Sequence, residues 1–386
     1  MNMNSFLRLM TFTAAMMMLV SCNDNADKRL RSYLDNYMDY DLIPVYPDRY
    51  WSGYATPDGE LAIEFDGKNE HLTYVYPFYE GLALTGLGFI DKNGEVVIET
   101  SDYRWDISTG FNEGITLMYD EHTEETVAIN KSGNEIFRTD GKPLGRIYGG
   151  YAMIKSEQPS RTYIVDRKGN TVFEPDDNEH LSWLRSAARP SFFSVMSGER
   201  LAYIIDLDSN KKYLENFCYS EQGDHQPLID WNNQVVLYDS DEQRYGVADI
   251  DGRWTIQPEY SYIRCDGELY SVIDDLGNVG WVNKKGKVVI EPQFESCRWY
   301  YITETSYAFN GSDLAYITAE NCFINRKGER VYEDVPGYVE SFDIKGRYIL
   351  DNNRAYNWMT LPDYDLVPLP SKYSFLSHFP HPNSFR

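Results

Sequence analysis

The sequence predicts an all-β protein made of tandem copies of one unit of about forty residues. Three observations carry that prediction. Six hairpin turns share a tetrad with Asp or Asn first and Gly fourth: Asp91 to Gly94, Asn130 to Gly133, Asp166 to Gly169, Asp249 to Gly252, Asn283 to Gly286 and Asn325 to Gly328. Such a tetrad fits a type I turn closed by a left-handed residue. Apolar, β-branched runs on both sides make each one a hairpin. Next, Gly114, Gly150 and Gly267 mark small-residue turns 19 residues before the hairpin glycines of their own units. Last, Pro175, Pro258 and Pro292 each follow the hairpin glycine by six residues. Proline gives no donor to a ladder, so it is expected to end the second hairpin arm.

Two looser copies fill the gaps, Thr56 to Gly59 and Asp206 to Asn210, with Asn210 in the left-handed place. Successive turn ends then lie 35, 39, 36, 41, 42, 34 and 42 residues apart. Eight units therefore cover about residues 45–360. A tyrosine count of 32 and 15% aromatic residues suit strands better than helices.

The N-terminus reads differently. Residues 1–21 combine one basic residue, Arg8, with an uncharged apolar run from Leu9 to Val20. That run is too short to be a permanent membrane span and reads as a secretory signal peptide. It closes with Leu19-Val20-Ser21-Cys22, which resembles the lipobox of bacterial lipoproteins. The resemblance implies acylation of Cys22 as the first mature residue, and several acyl chains anchor a protein stably. The acidic stretch Asn23 to Asp27 is similar to the tether of Bacteroides-type lipoproteins, which implies the outer membrane, on its periplasmic or surface side. Leu30, Leu34, Tyr37 and Met38 fall at helical spacing. Residues 22–41 are therefore expected to be a lipidated tether with a short helix, 42–369 the repeat domain and 370–386 a tail.

The repeat unit resembles the bacterial WG repeat: a Gly-aromatic-Ile-Asp strand, a Lys-Gly turn, an apolar strand ending in Pro, then an aromatic-Glu-Gly-apolar strand. Gly88-Phe89-Ile90-Asp91, Gly246-Val247-Ala248-Asp249 and Gly280-Trp281-Val282-Asn283 match the first element. Ile290-Glu291-Pro292-Gln293-Phe294-Glu295 matches the middle one. The Trp before the Gly is replaced by Leu87, Tyr245 and Val279. The resemblance implies a binding or scaffold role rather than a reaction.

Four short strands in about forty residues is the size of a propeller blade, so the expected fold is a propeller-like ring of about eight blades. The alternative is an open stack of β-meanders. Asp39 to Val45 resembles Asp363 to Leu369, and both look like a second hairpin arm with its Pro. A ring would splice two such partial copies into one shared blade. The tail from Pro370 to Arg386 is expected as a loose end or as a strap over the last repeat.

The chemistry is sparse. The six His residues show no metal spacing with Cys or with each other, apart from His378 and His381 in the tail. Beyond Cys22, Cys218, Cys265, Cys297 and Cys322 form no C-x-x-C motif, and their pairing is open; Cys322 falls in a first hairpin arm, where a buried free thiol fits. Asp206, Asp208 and Asn210 start like a calcium loop, but Lys211 and Phe217 stand where Gly and Glu are needed. No nucleophile elbow, phosphate loop or cofactor motif appears. A net charge of −24 disfavours nucleic acid as a partner. Trp299, Tyr300 and Tyr301 form the densest aromatic group and are the candidate binding platform. The expected function is a membrane-tethered, non-catalytic binding or scaffold lipoprotein of the cell envelope, with a protein or glycan partner. The alternative is a glycan hydrolase or lyase with carboxylates gathered from several blades.

Overall fold

The computed structural model describes residues 26, 28–29, 39, 41–48, 51–56, 60–65, 75–100, 110–157, 159–185, 188–198, 200–215, 229–239, 241–295, 309, 313–333, 338–342, 348–352, 355–359, 366–368 and 374–375. Cys22, Cys218, Cys297, Trp299, Tyr300, Tyr301, His378 and His381 lie outside them. The described strands form nine antiparallel sheets of three or four strands. Sheet 1 contains Ile43–Asp48, Trp51–Ala55 and Leu61–Phe65. Sheets 2 to 9 follow over residues 83–98, 115–140, 142–173, 180–213, 234–260, 262–295, 314–332 and 338–368. Strands adjacent in sequence are adjacent in space, so each sheet is a meander. The eight expected hairpin turns fall one to a sheet in sheets 1 to 8. Sheet 9 ends at Leu366–Pro368, and the Asp343 to Gly346 tetrad between its first two strands comes only 18 residues after Gly328, out of phase with the other units.

The two ends of the array meet. Ser374–Phe375 pairs with Ile43–Asp48, placing Val45 opposite Phe375 and Tyr46 opposite Ser374. Sheet 1 is thus completed from the far end of the chain, a closure that fits a propeller-like ring and that an open stack does not need. The splice differs from the sequence expectation in detail. Leu366–Pro368 is a last arm, but Ile43–Asp48 pairs on both sides, with Trp51–Ala55 and with the tail strand. Of the tail, Ser374–Phe375 is described, and it pairs with the first sheet.

The core lies between sheets. Side chains alternate along a strand, so one strand serves two neighbours. Val235 and Leu237 pack toward Ile204 and Met196 of sheet 5, while Val236 packs toward Val272 and Tyr270 of sheet 7. Leu117 and Ala128 face Ala152 and Ile154 of sheet 4, while Met118 and Val127 face Leu84 and Phe89 of sheet 2. The same arrangement joins sheets 1 and 2, 4 and 5, and 7 and 8. Each fully buried aliphatic side chain contributes roughly 1.5–3 kcal/mol.

Glycines hold the module together at two places. Gly280 starts its arm directly under the returning arm: a Cβ there would stand 2.7 Å from the Ile290 carbonyl oxygen and 2.6 Å from the Pro292 nitrogen. The register shifts at that point, between Val279 and Trp281. Pro292 and Pro258 therefore do not end their strands, which continue to Glu295 and Tyr260 on the outer arm of the sheet. They sit where the ladder is already broken, and only Pro175 lies beyond its strand, which ends at Phe173. The six tetrad glycines have φ between +77° and +84°. Five of them abut the outer arm of the preceding sheet: Gly94 on Ile63, Gly133 on Ile98, Gly169 on Phe137, Gly286 on Ile256 and Gly328 on Ile290.

That contact grades the cost of a side chain. A Cβ at Gly169 would lie 2.7 Å from the Phe137 ring, whereas at Gly286 the nearest atom is 3.7 Å away. Gly286→Ala is expected to lose about 1 kcal/mol from the left-handed backbone alone, and Gly169→Ala about 2–4 kcal/mol because Phe137 must also move. Urea unfolding of the two variants measures the difference.

Candidate functional site

The polar chemistry of the array gathers on the face that carries the tetrads. In all six full tetrads the first side chain accepts from the backbone N–H groups two and four residues on, at 2.8 to 3.1 Å. The fourth residue's N–H donates to the first carbonyl at 2.9 to 3.0 Å. This explains the restriction to Asp or Asn: a short side chain with an acceptor oxygen closes the turn. These bonds hold the Asp91 carboxyl below its ordinary value, the N–H of Glu95 foremost.

A second kind of turn meets the tetrads at this face. Glu80 and Gly81 have φ of 53° and 87°, Glu113 and Gly114 of 52° and 78°, and Gly149 and Gly150 of 60° and 82°. Two successive left-handed residues make these type I′ turns. Each is clasped by its neighbour. Gly81 N donates to Asp39 Oδ2 at 2.6 Å, and Gly114 N to Glu80 Oε2 at 3.0 Å. Gly149 and Gly150 donate to the Glu113 carboxylate at 2.5 and 3.1 Å. The second tetrad residue of the next sheet then returns a cation: Lys131 donates to the Glu80 carbonyl at 2.8 Å, and Arg167 Nη2 to the Glu113 carbonyl at 2.8 Å. The Glu-Gly and Lys-Gly pairs of the sequence are two halves of one joint between repeats.

Between sheets 6 and 7 the joint becomes a buried polar node. Asp230 opens a turn whose N–H groups at Asn232 and Gln234 donate to its Oδ1 at 2.7 and 3.0 Å. Tyr270 bonds to Asp230 Oδ2 and, at 2.8 Å, to Gln234 Oε1. Tyr270 has one hydroxyl proton for two acceptors, so a protonated Asp230 that donates to Tyr270 satisfies every atom. Burial pushes the Asp230 carboxyl up to about 6, against the bonds from Tyr270, Gln234 and Asn232. Burial likewise raises the Tyr270 hydroxyl and the Cys265 thiol. Beside the node, the buried Asp266 accepts from Trp281 Nε1 at 3.0 Å and from Phe309 N at 2.7 Å, fixing the Trp281 ring against Phe294 and Phe309.

The residues singled out from the sequence fall as follows. Cys265 and Cys322 are buried free thiols. The Asp206 carboxylate is engaged by Ser191 at 2.8 Å, Asp208 N at 3.1 Å and Ser209 at 2.5 Å, so that loop is a hairpin turn. Among the described residues no group of three or more His, Cys, Asp or Glu is placed to hold a metal. No helix among them is long and apolar enough to cross a membrane. Trp281 and Trp231 are buried. Two turns escaped the sequence reading. Asp274 to Gly277 meets the Asp-and-Gly rule but joins the other end of the sheet. Asp230 to Asn233 was hidden by Asn233 in the left-handed place, at φ 59°.

Two substitutions test this face. Asp230 is protonated more readily folded than unfolded, so its contribution is complete below about pH 4 and is lost as pH rises through about 6. Asp230→Asn mimics the protonated acid, and its stability relative to the parent is expected to grow by about 3 kcal/mol between pH 4 and pH 7 in urea unfolding. Glu113→Ala removes both glycine bonds and the Arg167 pair and is expected to cost about 1–2 kcal/mol, whereas Glu135→Ala, which loses only a surface pair with Arg138, costs under about 0.5 kcal/mol.

Residues 245–266 and 280–303 match the WG containing repeat. Among curated proteins no relative matches. Among solved structures, the dihydro-heme d1 dehydrogenase NirN in complex with DHE is similar over 87% of this chain and 75% of its own, at 11% identity and a TM-score of 0.45. AztD of Citrobacter koseri is similar over 84% and 92%, at 11% identity and a TM-score of 0.36. The C-terminal WD40 domain of Sif2 is similar over 66% and 80%, at 10% identity and a TM-score of 0.39. Likeness at that level says nothing of activity. The chain is a β-repeat protein that carries the WG containing repeat at residues 245–266 and 280–303.

Proposed function

We propose that this chain is a membrane-tethered, non-catalytic binding or scaffold lipoprotein of the cell envelope, with a protein or glycan as its partner. The observation that carries the reading is the use made of its acids. Glu80, Glu113, Asp206 and Asp266 bond to backbone or side-chain donors that join strands and repeats. Each is thus taken up by a structural bond, whereas most glycoside hydrolases keep a pair of carboxyl groups for the scissile bond. The tether rests on the apolar run from Leu9 to Val20 followed by Cys22. A repeat scaffold presenting many turns on one face suits the recognition of an extended partner.

Mass spectrometry of the protein purified from membranes is expected to find residues 1–21 absent and acyl chains on Cys22. Cys22→Ser is expected to move the protein into the soluble envelope fraction. A soluble parent protein with an unmodified Cys22 overturns the tether. Release of reducing ends or unsaturated products from any member of a polysaccharide panel overturns the non-catalytic reading.

A further inference from the structure

The cations of the turn face are not treated alike along the array. In sheets 2, 3 and 4 the second tetrad residue meets an acid: Lys92 lies 3.3 Å from Asp39 and 2.9 Å from Asp41, Lys131 3.2 Å from Glu80, and Arg167 2.8 Å from Glu113. In sheet 7 that residue is Lys284, followed by Lys285 and Lys287, and the turn of sheet 8 adds Lys327. The place of Glu80 and Glu113 is held before Lys284 by the neutral Asn232, whose amide bonds to the Gly267 carbonyl at 2.8 Å. All four lysines are exposed, and no acid among the described residues pairs with them. Arg326 lies among them but is engaged, over the Phe309 ring at 5.2 Å and 3.8 Å from Asp313. Beside the lysines, Val288 and Val289 are 37% and 45% exposed.

The N-terminal segment reaches the same place. Arg29 donates to the Trp231 carbonyl, in the turn that begins at Asp230. That turn touches sheet 7, since Gln234 Nε2 donates to the Lys284 carbonyl at 3.3 Å. Ala26 is buried, and Cys22 lies four residues before it, within a reach of about 14 Å. An acyl chain on Cys22 is therefore attached within that reach of Ala26.

We propose that Lys284, Lys285, Lys287 and Lys327 form a docking surface for an anionic lipid leaflet, so that the body lies against the bilayer by this turn face. The proposal rests on the tethered reading and adds an orientation to it. The net charge of −24 is screened beyond about 8 Å at physiological salt, so the lysines act chiefly against the acids of their own face, Asp249 and Asp251 of the neighbouring turn among them. Within that distance the lysines meet the headgroup phosphates.

The test uses the full chain carrying Cys22→Ser, so that no acyl chain masks the surface. Its partition is measured by flotation on vesicles of phosphatidylcholine with one quarter phosphatidylglycerol and on phosphatidylcholine alone. The leader, with Arg8, is common to parent and variants, so their comparison cancels its contribution. The expected ratio is about tenfold or more, falling at high salt, and about onefold for the chain with Lys284→Glu, Lys285→Glu, Lys287→Glu and Lys327→Glu. A chain with Gln at the same four positions is expected to lie between them, and it supplies the comparison should the charge-reversed chain unfold. An equal partition of parent and both variants, or a parent ratio near one, overturns the docking surface. Acylated Cys22 with no lysine dependence removes the docking surface and leaves the tether. Lysine-dependent binding with an unmodified Cys22 removes the tether and leaves the surface.

Discussion

A meander of three or four short strands cannot cover both of its own faces, and every other feature of this protein answers that limit. An isolated hairpin is marginal in water, and a sheet of three or four strands with two apolar faces still has to cover both of them. Here each apolar cluster is drawn from two sheets, so Val236 and its neighbours Val235 and Leu237 stabilise different interfaces from one strand. The unit of folding is the interface rather than the sheet. The return of Ser374–Phe375 to Ile43–Asp48 gives the first sheet a partner strand that it would otherwise lack.

The polar groups follow the same logic. A tetrad needs an acceptor at its first position and a left-handed residue at its fourth, and the glycine has the further task of lying flat against the sheet before it. The type I′ turns place Glu80 and Glu113 in a backbone conformation that costs a non-glycine residue about 1–2 kcal/mol. The bonds from those carboxylates to the next turn offset that cost. Where the glutamate is replaced, at Asn232, the joint is rebuilt from Asp230, Gln234 and Tyr270 in a buried form whose carboxyl is neutral below about pH 6. The cation of that joint is then left facing solvent as Lys284.

How much of this was legible in the sequence depends on whether the determinant is local. The hairpins were readable because Asp or Asn and Gly act on backbone two to four residues away. The unit length and the order of sheets 1 to 8 follow from them. Asp274 to Gly277 obeys the same rule and could have been read, but its phase assigns it to the other face. The prolines misled because a bulge at Gly280 had already broken the ladder where Pro292 sits, and no linear pattern reports a register shift. In the ninth sheet Asp343 to Gly346 stands out of phase, so only the likeness of Asp363–Leu369 to Asp39–Val45 announced its last arm, and nothing local announced the closing strand. The role of Glu113 was hidden because its partners, Gly149 and Gly150, lie 36 and 37 residues away on another sheet.

The central claim is that no sheet is stable apart from its neighbours, and residue-resolved hydrogen exchange under native conditions tests it most directly. The amides of Thr126 to Ile129 in sheet 3 and of Val279 to Val282 in sheet 7 lie in inner strands of well-separated sheets. The account predicts one shared opening free energy for both sets, equal to that of global unfolding. Loss of protection in one sheet while the sheets packed against it keep theirs would contradict it.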